Sequence, residues 1–172
     1  VRKTRRRGAT ENERPPAGPV PRDELESAVV RVAGDAGDGI QFAGSQFTQS
    51  TALSGNDLAT FPDFPAEIRA PLGTTFGVSA FQINFGSKTI QTSGDACDMV
   101  VVMNPAALKV ELPELLPGGL IVVDTGTFTE RNLHTAHYDA NPLEAGTLAP
   151  YRVIATYISA MPLEAVNDLA LS

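Results

Sequence analysis

Two short runs, Met99–Met103 and Leu120–Val123, contain no polar residue and are dominated by valine and isoleucine. A strand with one face in water alternates apolar and polar side chains. A run that is apolar throughout belongs to a strand covered on both faces. These two segments therefore belong inside a sheet with layers above and below it, which restricts the chain to α/β architectures. The residues between them fit a crossover. Pro105 suits the first turn of a helix running to about Leu115, Pro117-Gly118-Gly119 turns the chain, and the second run ends at Asp124.

The same alternation extends in both directions. Residues 28–33 form a β-branched strand, followed by the glycine-bearing turn Gly34 to Gly39. Ile40, Ala43, Phe47 and Thr51 then recur at helical spacing, and Ser54-Gly55 supplies a stop. Residues 56–60 are expected as a short strand. Pro62, Pro65 and Pro71 make residues 61–75 an irregular loop. Residues 77–85 are expected as a strand, with 88–92 its hairpin partner through Gly86-Ser87. A strand over 151–158 and a helix over 162–171 complete the pattern. The fold expected is a parallel or mixed sheet covered by helices on both faces, a three-layer Rossmann-like or flavodoxin-like arrangement over residues 27–172. Residues 1–26, with Pro15, Pro16, Pro19 and Pro21, are expected as a disordered tail. Ligands of such sheets bind beyond the carboxyl ends of the strands. The loops after Ala33, Thr60, Met103 and Asp124 are therefore the places to search.

Composition removes several function classes. The net charge of −7 is unevenly distributed, because residues 1–22 hold seven of the thirteen Lys and Arg but only two of the twenty Asp and Glu. The remainder is strongly acidic and a poor match for nucleic acid phosphates. Arg2, Lys3, Arg5, Arg6 and Arg7 could meet RNA or an anionic surface, but a solvated tail is the simpler reading. No apolar run is long enough to cross a membrane. One cysteine, Cys97, precludes an internal disulfide, and the cytoplasm is the expected compartment. Without a CxxC partner, Cys97 is expected to act as a small apolar residue. His134 and His137 have too few companion ligands for a metal site and sit in what looks like a surface strand or loop. No G-x-S-x-G stretch supports a hydrolase.

The glycine turn invites a dinucleotide reading, since glycines let backbone approach a pyrophosphate at a helix N-terminus. Counted from Gly37, that fingerprint needs a small residue where Phe42 stands, and Asp35 and Asp38 would repel a phosphate. An acidic ribose partner should close the second strand, yet Asp57 opens it. Gly34, Gly37 and Gly39 thus remain either a tight turn using positive φ or a ligand or partner contact. Arg69, close to Glu67 between Pro65 and Pro71, can point toward an anionic ligand or a partner subunit. It can equally pair with Glu67 or another carboxylate. Asn104 can contact a ligand from the end of its strand or cap the helix that starts at Pro105. Asp124-Thr125 carries the same ambiguity.

Three stretches in order, Arg31-Val-Ala-Gly-Asp-Ala-Gly-Asp-Gly-Ile40, Phe64-Pro-Ala-Glu-Ile-Arg-Ala-Pro-Leu-Gly73 and Met103-Asn-Pro-Ala-Ala-Leu108, resemble the gamma domain of 2-oxoacid:ferredoxin oxidoreductases. The form resembled is the one fused at the N-terminus of the alpha subunit in 2-oxoglutarate-type enzymes. The resemblance implies a whole enzyme that oxidatively decarboxylates a 2-oxoacid on thiamine diphosphate and Mg2+. Electrons leave through a [4Fe–4S] cluster to ferredoxin, and the acyl group passes to coenzyme A. It further implies that this domain binds no cofactor by itself and is not catalytic alone. It would pack against a beta subunit in an α2β2-type assembly, with a pyrimidine-type thiamine domain following Ser172. Two other functions stay open: a free-standing nucleotide-binding module and a purely structural assembly domain. The acidic turn departs from the Gly-Gly-Gln-Gly-like version of stand-alone gamma subunits, which puts coenzyme A contact by that loop in question.

Overall fold

The computed structural model describes residues 25–35, 37–63 and 77–158. These form a sheet in the order β2-β3-β1-β4-β5-β6. The strands are β1 (Ser27–Asp35), β2 (Asp57–Asp63), β3 (Val78–Gly86), β4 (Cys97–Val102), β5 (Leu115–Asp124) and β6 (Arg152–Thr156). The helices are α1 (Ile40–Leu53), α2 (Pro105–Glu111) and α3 (Glu130–Thr135), with 3-10 turns at Leu112–Glu114 and Thr125–Thr127. β1, β4, β5 and β6 pair in parallel, while β3 lies antiparallel to both β1 and β2. The sheet is therefore mixed, with helices on both faces.

The two apolar runs occupy β4 and β5, and alternate residues serve opposite layers. Val100, Val102, Ile121 and Val123 are fully buried in a core shared with Ala107 and Leu108 of α2. On the other face Val30, Phe81 and Ile83 close around Ile40 of α1, with Met99 and Met103 against them. α1 lies so close to β3 that a Cβ on Gly44 would sit 2.2 Å from the Phe81 ring. Gln41 Nε2 fixes the same contact by donating to Ala80 O at 2.9 Å. Gly39 precedes α1 with φ 71°, and Gly55 follows it with φ 81°, both conformations that glycine adopts at little cost.

Charge is buried on the α2 face. Arg31 of β1 is paired with Glu111 of α2 at 2.5 Å and with Asp63 of β2 at 2.7 Å. It also donates to Gln82 Oε1 of β3 at 3.0 Å. Burial raises the Glu111 carboxyl above its ordinary pKa, and the Arg31 guanidinium opposes that rise.

Several expected boundaries shift. β2 continues to Asp63, into the proline loop, because Pro62 lies on an edge strand whose outer N–H positions need no partner. Residues 88–92 do not form a hairpin with β3, because both flanks of β3 are already taken by β1 and β2. That segment is held instead by side chains, with Gln82 Nε2 donating to Ser93 O and Gly94 O and Asn84 Nδ2 to Thr92 O. Pro117-Gly118-Gly119 bulges within β5, where the register jumps between Cys97–Leu115 and Met99–Leu120. α2 ends at Glu111, and Pro113 tightens the chain into a 3-10 turn before Leu115. The histidine region, expected as strand or loop, contains α3, started by Thr129 accepting from Asn132 N. The expected tail and the helix over 162–171 lie outside the described residues.

Gly44→Ala would gain helix propensity of under about 1 kcal/mol. It would also drive a methyl into a buried ring, so a net loss of about 1–2 kcal/mol is expected in urea unfolding. An unchanged midpoint would show that Phe81 moves aside freely.

Candidate functional site

β1 and β4 are neighbours in the sheet, yet the helices that follow them leave on opposite faces. That divergence opens a crevice beyond their carboxyl ends, the usual ligand position in such sheets. Its walls are Asp35, Asn104, Pro105, Ala106 and, from α3, Arg131, Asn132 and Thr135, around a cavity of about 180 Å³.

Asn104 performs its expected capping role and reaches the crevice as well. Its Oδ1 accepts from Ala107 N at 2.8 Å, while Nδ2 donates to Asp35 Oδ1 at 2.9 Å. The second bond ties the end of β4 to the end of β1. Met103 N donates to Ala33 O at 2.9 Å beside it. Asp124 is buried and accepts from Gly126 N, so it caps the 3-10 turn after β5.

The glycine turn is filled by the protein's own carboxylate. Asp38 Oδ2 accepts from Asp35 N at 2.8 Å. Gly34 makes room for this, because a Cβ there would lie 2.8 Å from that oxygen and 2.9–3.0 Å from Ile40 and Met103. Gly37 and Gly39 face open space, so neither serves a close approach within the domain. Asp35 titrates above the ordinary aspartate value, chiefly through burial and then through the nearby Asp38 charge, with the Asn104 bond acting against both. The geometry suits hydrogen-bond donors such as hydroxyl or amide groups better than a phosphate.

Of the expected site residues, Asn104 lines the crevice; Gly34 precedes the lining residue Asp35 and packs against Ile40 and Met103, and Gly37 and Gly39 face open space. Glu67 and Arg69 lie outside the described residues. Arg131, Asn132 and Thr135 carry no signal in the sequence, since nothing in a six-residue helix some ninety positions after the glycine turn marks a shared wall. Cys97 is buried, and its thiol donates to Glu114 O at 3.3 Å. Burial pushes it up to about 11. Among the described residues, no three of His, Cys, Asp and Glu converge as metal ligands.

A profile of the pyruvate ferredoxin/flavodoxin oxidoreductase family matches residues 29–169. The 2-oxoglutarate oxidoreductase subunit KorA of Mycobacterium tuberculosis is 49% identical over 151 residues, covering 88% of this chain and 23% of that protein. The chain thus spans about a quarter of the length of this relative. The 2-oxoglutarate:ferredoxin oxidoreductase of Magnetococcus marinus, solved with 2-oxoglutarate, coenzyme A and succinyl-CoA bound, superposes with a TM-score of 0.62 at 25% identity. That match covers 82% of this chain and 22% of the other. The gamma subunit of a keto/oxoacid ferredoxin oxidoreductase from Geobacter sulfurreducens superposes at 0.54 with 14% identity, over 79% of this chain and 64% of that one. Pyruvate oxidoreductase subunit PORC from Thermotoga maritima superposes at 0.52 with 17% identity, over 83% and 68%. These last two show a shared fold.

Two expectations follow. A carboxyl whose pKa is raised on folding binds protons more readily in the folded state, so its contribution to stability falls as pH rises above the unfolded value. Asp35→Asn keeps the acceptor for Asn104 and removes repulsion by Asp38. It should therefore raise the denaturation midpoint at pH 7, with the gain vanishing as pH falls below the ordinary aspartate value of 3.8. Cys97 should react slowly with a thiol reagent at pH 8 in the folded chain and rapidly in denaturant. Equal rates would contradict its burial.

Proposed function

The chain belongs to the pyruvate ferredoxin/flavodoxin oxidoreductase family, and on that premise we propose that it is the accessory α/β domain of a 2-oxoglutarate-type 2-oxoacid:ferredoxin oxidoreductase. The observation that carries this reading is the 49% identity across 88% of the chain to a 2-oxoglutarate oxidoreductase subunit. The whole enzyme would oxidatively decarboxylate 2-oxoglutarate, transfer the acyl group to coenzyme A and reduce ferredoxin.

The residues of this chain do not fit the redox groups of that reaction. A [4Fe–4S] cluster takes about four thiolates, and the single cysteine is a buried thiol raised to about 11. A metal-bound diphosphate calls for converging oxygen ligands, and none converge among the described residues. Thiamine diphosphate, Mg2+ and the cluster are therefore assigned to other parts of the assembly, including a following pyrimidine-type domain and a beta subunit in an α2β2-type complex. Residues 27–172 would form one domain that walls the active-site channel and docks its neighbours. Within it, Gly34, Gly37 and Gly39 of the turn, Asn104 in the crevice, and Glu67 and Arg69 are the residues proposed for ligand or partner contact.

A free-standing nucleotide-binding module is the weaker reading, because the Asp38 carboxylate already occupies the Asp35 N–H that a phosphate would need. Titrating the chain with NAD, FAD and coenzyme A tests it, since micromolar binding of either dinucleotide would favour that alternative. In the complete enzyme, losing a charged hydrogen bond from Arg69 would cost about 1.5–3 kcal/mol. Arg69→Ala should then raise the apparent KM for 2-oxoglutarate or coenzyme A by about tenfold or more. Unchanged values for both would assign Arg69 to a salt bridge and remove its ligand role.

A further inference from the structure

α1 packs on β1, β2 and β3 with one side and turns the other outward. Ile40, Gly44 and Thr51 form the buried side, and the Phe47 ring meets Phe85 edge-on. On the outward side Phe42 is 70% exposed and Leu53 is 90% exposed. Gln46 and Gln49, between them, are exposed as well. At 3.6 residues per turn these four positions fall within about 60° of one another around the helix. None of the fourteen residues of α1 is charged. The outward face of a solvated helix ordinarily carries charge, and the rest of this chain has charge to spare. Residues 23–172 hold six Lys and Arg against eighteen Asp and Glu. Ser45, on the same face, already donates its hydroxyl to Gln41 O at 2.8 Å, so covering it strands no donor.

We propose that this face of α1 is a self-association surface, on which α1 of a second copy of the chain packs antiparallel. The stripe reads alike from either end, because Phe42, Gln46, Gln49 and Leu53 are separated by steps of four, three and four. A twofold axis through its midpoint sets Phe42 against Leu53 of the partner subunit and Gln46 against Gln49 of the partner subunit. Each glutamine amide has a donor and an acceptor, so the facing pairs satisfy one another. Phenyl and leucine side chains leave water at both ends of the contact. Antiparallel packing also lays each helix N-terminus beside the other's C-terminus. α1 has no acidic residue in its first turn and no basic residue in its last to offset its own dipole. Charge selects the occupant. Two acidic chains repel wherever carboxylates meet, and the α1 helix brings none to the contact, whereas a basic partner is drawn to the acidic faces instead. Helices about 21 Å long bury less than the roughly 800 Å² per partner of a standard interface, so the pairing is weak and concentration-dependent. The inference is independent of the enzymatic role proposed above, and its failure leaves that role untouched.

The test uses the 172-residue chain. Analytical ultracentrifugation between about 10 μM and about 0.5 mM should show a monomer–dimer equilibrium. Gln46→Glu with Gln49→Glu sets carboxylate against carboxylate across the axis and should raise the dissociation constant about tenfold or more. Gln46→Lys with Gln49→Glu sets an ammonium against a carboxylate at both crossings, and should keep or tighten the dimer. Both positions are exposed, so thermal melts of the two variants should match that of the parent chain, which separates lost pairing from lost folding. Mild oxidation of a mixture of Phe42→Cys and Leu53→Cys chains should give the mixed disulfide in preference to either like pair, because only the mixed pair is juxtaposed. The proposal is overturned if the chain stays monomeric throughout that range, or if both charge variants dissociate alike. It is also overturned if Phe42→Cys chains join each other as readily as they join Leu53→Cys chains, which would mean another orientation.

Discussion

The Arg31 guanidinium is the point on which the mutual placement of β1, β2, β3 and α2 depends. It joins β1 to α2 through Glu111, to β2 through Asp63 and to β3 through Gln82. Each of these elements also packs apolar surface, but burial is non-directional and leaves their relative slide unspecified. A buried ion pair adds little net stability, yet removing one partner strands the other charge at a cost of about 3–5 kcal/mol. Glu111, already titrating high through burial, would be the charge left behind. The network therefore fixes arrangement more than it adds stability. Through Asp63 it also fixes the end of β2.

At the carboxyl end of β1 lies the crevice, where a second polar link, Asn104 to Asp35, holds the ends of β1 and β4 together. The glycine turn beside it has the spacing of a phosphate cradle and the chemistry of something else. Its free N–H is met by Asp38, and Gly34 exists in that form because the carboxylate needs the space.

Much of this was legible from residue order. The uniformly apolar runs placed β4 and β5, helical spacing after Gly39 placed α1, and Pro105 after Asn104 marked a capped helix start. What escaped was set by tertiary pairing. β3 could pair with a following hairpin strand or with β1 and β2, and local turn residues cannot decide between these. Pro117-Gly118-Gly119 resembles a loop, and only the parallel neighbour makes it a bulge. The crevice was half visible. Its glycine and asparagine edge carries familiar spacing, whereas Arg131, Asn132 and Thr135 arrive through the packing of a short helix. Arg31 opens the stretch that runs to Ile40, but its partners lie on three other elements and share no pattern with it.

The stretch from Ser87 to Ala96 has no ladder of its own. It hangs from the amides of Gln82 and Asn84 and from the Asp57 carboxylate, which accepts from Ile90 N at 2.7 Å. Such a segment is able to peel away while every strand keeps its partners, so its amides belong to the fast-exchanging fraction of the molecule. Evolution can lengthen or rewrite it at small cost to the sheet. Whatever neighbour comes to rest on this flank meets a surface that yields before the frame beneath it does.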